Sequence, residues 1–327
     1  MHVLILGAAG MIGRKFTDRL VKDGKLGSAG VSEITLHDVV APAVPKATFP
    51  VAALASDFAE PGAAEKLVAG RPDAIFHLAA IVSGEAEADL EKGYRINLDG
   101  TRYLLDAIRR VGGGYKPRVV FASSIAVFGA PFPEAIGDEF FHTPLTSYGT
   151  QKAMSELMLA DFSRRGFLDG VGIRLPTICV RPGKPNKAAS GFFSGIIREP
   201  LSGEEGVLPV SEDVRHWHAS PRSAVGFLIH AGSMDTSVLG ARRNLSMPGL
   251  SVTVGEQIAA LERVAGKNVV KRIRRTPDPT IMKIVEGWPR NFDTARSKSL
   301  GFTTAERSFD DIIKIHIDDE LNGKFVA

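Results

Sequence analysis

The chain has 327 residues and a single cysteine, Cys179. It contains no stretch approaching the roughly 20 apolar residues that a membrane-spanning helix requires. One thiol rules out an intrachain disulfide framework and fits a reducing compartment. An excess of one charge is also lacking: 40 Lys and Arg stand against 37 Asp and Glu, a formal +3. That balance gives no electrostatic case for nucleic acid or a membrane surface as partner. There is no internal repeat and no low-complexity tract. The apolar start, His2–Leu6, lacks a positive flank and is interrupted at once by glycine, so it reads as a buried first strand rather than a secretion signal. These absences lead to the expectation of a cytoplasmic protein with a large domain and a smaller one.

What is present is alternation. His2–Leu6, Glu33–Leu36, Ala74–His77 and Arg118–Ala122 are short, apolar and bounded by turn residues, as strands are. Between them, Ile12–Lys22 and Gly100–Arg110 place apolar residues on one helical face. A further strand is expected at Val171–Arg174. This alternation predicts an α/β fold, a doubly wound parallel sheet of the Rossmann kind over residues 1–175. Residues 176–327 read mainly as a smaller C-terminal substrate-binding lobe laid across the sheet's carboxyl edge, with segments returning to the first domain. Helices are expected there at Gly191–Glu199, Val254–Ala265 and Ser308–Leu321.

Gly7-Ala8-Ala9-Gly10-Met11-Ile12-Gly13 follows the first strand and opens the first helix. In such a loop Gly7 makes the tight turn, Gly10 admits a pyrophosphate to the backbone, and Gly13 lets helix and sheet pack closely. Met11 and Ile12 would offer the free N–H groups of the helix N-terminus to phosphate. Asp38, ending the second strand, can accept both ribose hydroxyls and would repel a 2′-phosphate, which predicts NAD over NADP. Asp57-Phe58 follows a third strand. There the acid could reach the adenine amino group while the backbone contacts the ring, although Asp57 reads equally well as a helix N-cap.

Tyr148 and Lys152 stand one helical turn apart on one face. Oxidising an alcohol with NAD requires a base for the hydroxyl proton, and a phenol with a reference pKa of about 10 is a poor one at neutral pH. A nearby ammonium would stabilise the tyrosinate. Ser124, at the end of the strand beginning at Arg118, offers a hydroxyl to hold the substrate oxygen. All three belong at the carboxyl ends of parallel strands, where open α/β sheets bind ligands.

The glycine loop, His77-Leu78-Ala79-Ala80, Asn97, Ser123-Ser124-Ile125-Ala126-Val127-Phe128-Gly129, Tyr148…Lys152, Asp293-Thr294-Ala295-Arg296 and Leu300-Gly301-Phe302 together resemble the NAD-dependent epimerase/dehydratase family, the extended short-chain dehydrogenases. The resemblance covers nearly the whole chain. It implies Tyr148 as acid/base, Lys152 as its partner and Ser124 as the ligand of the substrate hydroxyl. Leu78, Ala79 and Ala80 would line NAD, Asn97 would support the catalytic helix, and Pro176-Thr177 would flank the nicotinamide. Phe128 stands where the family usually has tyrosine, a mainly structural position. A homodimer is implied, with the Tyr148 and Asn97 helices packing against their partners.

The stretch Arg174–Phe192, with Arg215–Ser220, is similar to the branch of the family implied to oxidise the C2 hydroxyl of a four-carbon sugar acid. Lys184, Asn186, Ser190, Arg215 and His218 could bind such an acid, and arginine can hold its carboxylate bidentately. In sugar-nucleotide relatives the arginine matching Arg215 grips the diphosphate instead. A 4-epimerase that keeps NAD bound therefore stays open beside a dehydrogenase. A cofactor-sensing module would not need Ser124, Tyr148 and Lys152 together. His216-Trp217-His218 is read as alternating to opposite faces of a strand, and no Cys/His cluster accompanies it, so no metal is expected. Lys267–Arg275, basic with alternating Val and Ile, reads as a half-buried edge strand.

Overall fold

The structure, a computed structural model, describes residues 1–183 and 189–327. Apart from a two-residue hairpin, Lys25–Leu26 with Ala29–Gly30, the strands in chain order are β1 (His2–Leu6), β2 (Glu33–Asp38), β3 (Val51–Ala55), β4 (Ala74–His77), β5 (Arg118–Ser124), β6 (Asp169–Leu175), β7 (Thr177–Ile178), β8 (Gly206–Leu208), β9 (Arg215–Ala219), β10 (Asn244–Ser246), β11 (Leu250–Thr253) and β12 (Ile273–Arg275). The longer helices are α1 (Met11–Asp23), α2 (Gly100–Val111), α3 (Ser147–Arg164), α4 (Gly191–Leu201), α5 (Pro221–Ser233), α6 (Val254–Ala265) and α7 (Phe309–Glu320).

Seven strands form one sheet in the order β10-β6-β5-β4-β1-β2-β3, every neighbouring pair parallel. The fold is thus a Rossmann-like doubly wound sheet. Chain order reverses at β1, which lies between β2 and β4, and this is the switch point beside which such sheets bind ligands. Burial follows position. The central strands β1 and β4 are almost wholly buried, whereas β3, at the edge, is largely exposed. A sheet covered on both faces needs continuous apolar strands at its centre and tolerates small residues at its rim.

The chain separates into two compact units. The first comprises Met1–Val127, Thr146–Leu175 and Val225–Ser246; the second comprises Phe128–Leu145, Pro176–Ala224 and Met247–Ala327. In the first unit, Leu4, Leu6, Ile75, Val119 and Phe121 of the sheet pack against Leu104, Leu105 and Ile108 of α2 and Leu159 of α3. The second unit has its own core, built from α4, α6 and α7 around Cys179, Phe193, Ile197, Leu261 and Ile313. It contains a three-stranded sheet in which β9 is antiparallel to β11 and parallel to β7.

One expected element differs. Lys267–Val270 is a helical turn, and only Ile273–Arg275 is a strand, paired parallel with β8. Val269 and Ile273 are both buried and stand four residues apart. Residues four apart share a face in a helix and in a strand alike, so this spacing does not separate the two. Phe128 is buried in the second unit in an aromatic cluster with the rings of Phe140, His142 and Phe292.

Candidate active site

The turn after β1 is fixed by sterics before any ligand is considered. Gly7 has φ of 84°, and a Cβ there would lie 2.7 Å from the Ala79 nitrogen. A Cβ on Gly13 would lie 2.2 Å from the Gly7 carbonyl oxygen. Gly10 is different: it is exposed, and its Cβ would meet only the Gly7 oxygen, at 3.3 Å. Packing demands the first and last glycines, while the middle one keeps an open approach to the backbone. Gly10 also caps α1 without a side chain, which leaves the helix's first-turn N–H groups, those of Met11 and Ile12 among them, to an external anion.

Asp38 is drawn into the same turn. Its Oδ2 accepts from the Ala9 nitrogen at 2.9 Å and its Oδ1 from the Val39 nitrogen at 2.7 Å. The side chain remains partly exposed and retains lone pairs for a diol. Glycine loop, helix terminus and acid together fit the adenosine and pyrophosphate of NAD.

Asp57 accepts from the Ala59 nitrogen at 2.9 Å and is paired with Arg95 at 2.7 Å. Asp57 thus closes a turn and is not a helix N-cap, since the next helix, Ala63–Val68, is capped by Gly62, and its carboxylate is held by Arg95. Phe58 is a core residue, 3% exposed, pressed against Gly100 and lying edge-on to His77. Leu78, Ala79 and Ala80 continue β4 as half-buried backbone, with the Leu78 nitrogen donating to the Leu6 carbonyl at 2.9 Å.

Arg95 and Asn97 both lie on a π-helical segment, Tyr94–Asp99, that runs directly into α2. Buried Asn97 accepts from the Ile81 nitrogen at 2.9 Å and donates to Gln151 Oε1 at 2.8 Å. Its side chain thus joins the segment after Ala80 to α3. Neither Arg95 nor Gln151 carries a local motif, and sequence reasoning missed both.

α3 starts at Thr146, whose hydroxyl accepts from the Gly149 nitrogen at 3.0 Å. A Cβ on Gly149 would lie 2.1 Å from the Ala126 carbonyl oxygen, so the first turn of α3 sits directly on the segment that follows Ser124. This close approach brings Tyr148 to the end of β5. Ser124 accepts from the Ala126 nitrogen at 3.1 Å, and both Ser124 and Tyr148 are half-buried. Lys152 is 2% exposed. Its ammonium donates to the Ala122 carbonyl at 2.8 Å, lies 4.6 Å from the centre of the Phe121 ring and lies 5.8 Å from that of Tyr148. Burial pushes Lys152 down to about 7, and the charge of Glu156 acts against that fall. His77 is pushed down to about 3 by its burial, with the charge of Lys152 adding to the effect.

Apart from Ser124 and Tyr148, the described residues expected to bind substrate lie in the second unit; Lys184 and Asn186 fall outside the described residues. Ser190 is half-buried at the start of α4, and Pro176 and Thr177 follow β6. Arg215 begins β9, donates to the Ser251 carbonyl at 2.8 Å and is 3.3 Å from Glu256, with 39% of its side chain exposed. His216 and His218 share a face of β9 instead of opposing each other, because residues two apart on a strand point the same way. Their rings are 5.3 Å apart, and Phe193 lies against both. His216 bonds the Pro289 carbonyl at 2.9 Å and the Thr177 hydroxyl at 2.7 Å. His218 is 0% exposed and 3.0 Å from the Gln257 amide. The structure thus puts His218 in the unit's core rather than on an open face. Among the described residues, no group of three His, Cys, Asp or Glu could hold a metal ion, and no helix is long and apolar enough to cross a membrane.

Comparison with known proteins adds four matches. The model of the NAD dependent epimerase/dehydratase family matches residues 3–219. The chain is 44% identical over 324 residues to the D-erythronate dehydrogenase of Cupriavidus necator, covering 98% of each. It is 40% identical over 321 residues to that of Haemophilus influenzae, covering 98% of this chain and 100% of the other. Among solved structures, a nucleoside-diphosphate-sugar epimerase from Agrobacterium tumefaciens matches with a TM-score of 0.96 at 66% identity, covering 99% of this chain and 95% of that one.

Proposed function

The chain belongs to the NAD dependent epimerase/dehydratase family, and on that premise we propose that it is a dehydrogenase oxidising the C2 hydroxyl of D-erythronate, or a closely related small aldonate, to the 2-keto acid. NAD, when bound, supplies the hydride acceptor. Tyr148 takes the proton from the C2 hydroxyl, Ser124 hydrogen-bonds the same oxygen, and the Lys152 ammonium stabilises the phenolate. Asp38 holds the adenosine ribose, and the first turn of α1 holds the pyrophosphate. Arg215 and Ser190 are the candidates for the carboxylate and the remaining hydroxyls. The observation that carries the chemistry is the seating of α3, with Gly149 against Ala126 and the Lys152 ammonium 5.8 Å from the centre of the Tyr148 ring. The choice of acid is supported by two relatives of that name, each matched over nearly its full length.

A second reading is favoured by the 66% identity to a structure described as a nucleoside-diphosphate-sugar epimerase. An epimerase returns the hydride to its substrate, so no NADH accumulates. The two readings separate in one assay, in which purified protein is incubated with NAD and a panel of four- to six-carbon aldonates while NADH absorbance is followed. D-erythronate should give a steady rise. Silence with every acid, together with interconversion of nucleotide sugars, would establish the second reading. Tyr148→Phe should lower NADH formation by about a hundredfold or more while NAD affinity stays within about threefold; undiminished turnover would remove Tyr148 from its role.

A further inference from the structure

The buried face of α3 carries a charge that the proposed chemistry does not use. Glu156 is 0% exposed and lies one turn beyond Lys152. Its Oε1 accepts from the Ser123 hydroxyl at 2.5 Å and from Arg174 Nε at 3.0 Å, and its Oε2 accepts from Arg174 Nη2 at 2.8 Å. Ser123 directly precedes Ser124 on β5. Arg174 lies on β6, is 6% exposed, and reaches the Ser246 hydroxyl of β10 at 3.4 Å. The backbone carbonyl of Glu156 also accepts from Asn244 on β10, at 3.2 Å. One residue of the catalytic helix is thus fastened to three adjacent strands.

Stability alone does not account for this arrangement. A buried ion pair loses in desolvation much of what it gains in attraction, and an apolar pair of similar volume often serves a fold as well or better. An apolar pair cannot act on the charge of Lys152, however. The titratable or charged groups around that ammonium are Tyr148 and Glu156 on its own helix, His77 from β4, and Arg174 from β6 behind Glu156. His77 is held neutral by its burial. Glu156 therefore provides the negative charge that acts against the desolvation of Lys152. With Lys152 near neutrality, a small change in that offset decides whether it is an ammonium or an amine at working pH.

We propose that Glu156, braced by Arg174 and Ser123, is a positioning residue that keeps Lys152 an ammonium and sets α3 against the strand end bearing Ser124. The proposal rests on the reading of Tyr148 and Lys152 given above. Glu156→Gln keeps the shape and removes the charge, and it replaces one of the two accepting oxygens that face Arg174 by an amide that can only donate. The lysine Cε resonances, titrated by NMR with Lys152 assigned from its absence in Lys152→Met, should show the Lys152 midpoint falling by about one unit or more in Glu156→Gln. An unmoved midpoint overturns the proposal, and this readout holds whatever substrate the protein takes. In the NADH assay, kcat at neutral pH should fall about tenfold or more while the KM for NAD changes less than about threefold. A second variant separates charge from fold: Glu156→Met with Arg174→Met should keep the wild-type Tm and remain slow. Wild-type turnover in that double variant would reduce Glu156 to packing and overturn the proposal. If the wild type forms no NADH while the Lys152 midpoint still falls, the dehydrogenase reading fails and the role of Glu156 stands.

Discussion

Two glycines of one loop make a controlled experiment at the scale of single residues. Gly13 is required by packing, since its Cβ would lie 2.2 Å from a backbone oxygen. Gly13→Ala must displace the loop and should cost about 1–3 kcal/mol of stability as well as NAD affinity. Gly10 meets only one atom, at 3.3 Å, and is exposed. Gly10→Ala should unfold at the wild-type temperature yet bind NAD about tenfold more weakly or worse, because the added methyl stands where the pyrophosphate approaches. Calorimetry of both variants with and without NAD checks this. A Gly10→Ala protein that binds NAD normally would place the phosphates elsewhere. Contiguous features of this kind are legible in a sequence because spacing along the chain fixes their geometry. The Glu156–Arg174 pair and the bond from Lys152 to the Ala122 carbonyl are not legible, because β5, α3 and β6 meet only once the sheet has formed.

Elements were legible where their ends carry chemistry. Helix α6 begins after Thr253, whose hydroxyl and Glu256 form a reciprocal capping box, and it ends before Gly266; Val254–Ala265 follows from those signals. The π-helical segment Tyr94–Asp99 has no such signature, and its function comes from what it joins. Arg95 holds Asp57 on one side and Asn97 holds Gln151 on the other. A widened turn of this kind displaces side chains from the regular helical register and is frequent at functional sites. Asn97→Ala would leave the buried Gln151 side-chain oxygen and the part-buried Ile81 nitrogen without this partner. The expected cost is about 1–3 kcal/mol for each group left unsatisfied, with α3 loosened relative to the loop after Ala80. Amide hydrogen exchange should then quicken in the first turns of α3 and in residues 78–82 before it does in the β1–β4 core. Exchange raised uniformly through the sheet would instead mark Asn97 as an ordinary contributor to global stability.

For the molecule as a whole, the histidines set the response to acid, and here sequence reasoning erred most plainly. The sequence reading puts the pair on opposite faces of β9, whereas both rings are buried on one side against Phe193. Burial lowers His216 to about 4, with its bond to the Pro289 carbonyl acting weakly against this. That carbonyl can only accept, so His216 carries its proton on Nδ1 and accepts from Thr177 through Nε2. Burial also drives His218 well down, with His216 adding to the effect, and in the first unit burial lowers His77 to about 3. The unfolded chain protonates these rings near 6.5 while the folded one leaves them neutral. The unfolded state therefore binds more protons throughout the window from about 6.5 down to about 4, and stability falls as pH falls. The contribution is about 2 kcal/mol per ring between pH 7 and pH 5. Carboxylates lowered in the fold, such as Asp169, begin to act as pH falls into the ordinary carboxylate range, about 4, and leave the span from pH 7 to pH 5 mainly to the histidines. Urea midpoints of the cofactor-free protein should accordingly drop steeply from pH 7 to pH 5, and imidazole nitrogen spectra at pH 5 should still show the His77, His216 and His218 rings neutral in the folded protein. A flat stability profile, or imidazolium signals assigned to His77, His216 or His218 in the folded state at that pH, would mean that these rings reach water or an acid in solution, and the packing that buries them would have to open to allow it.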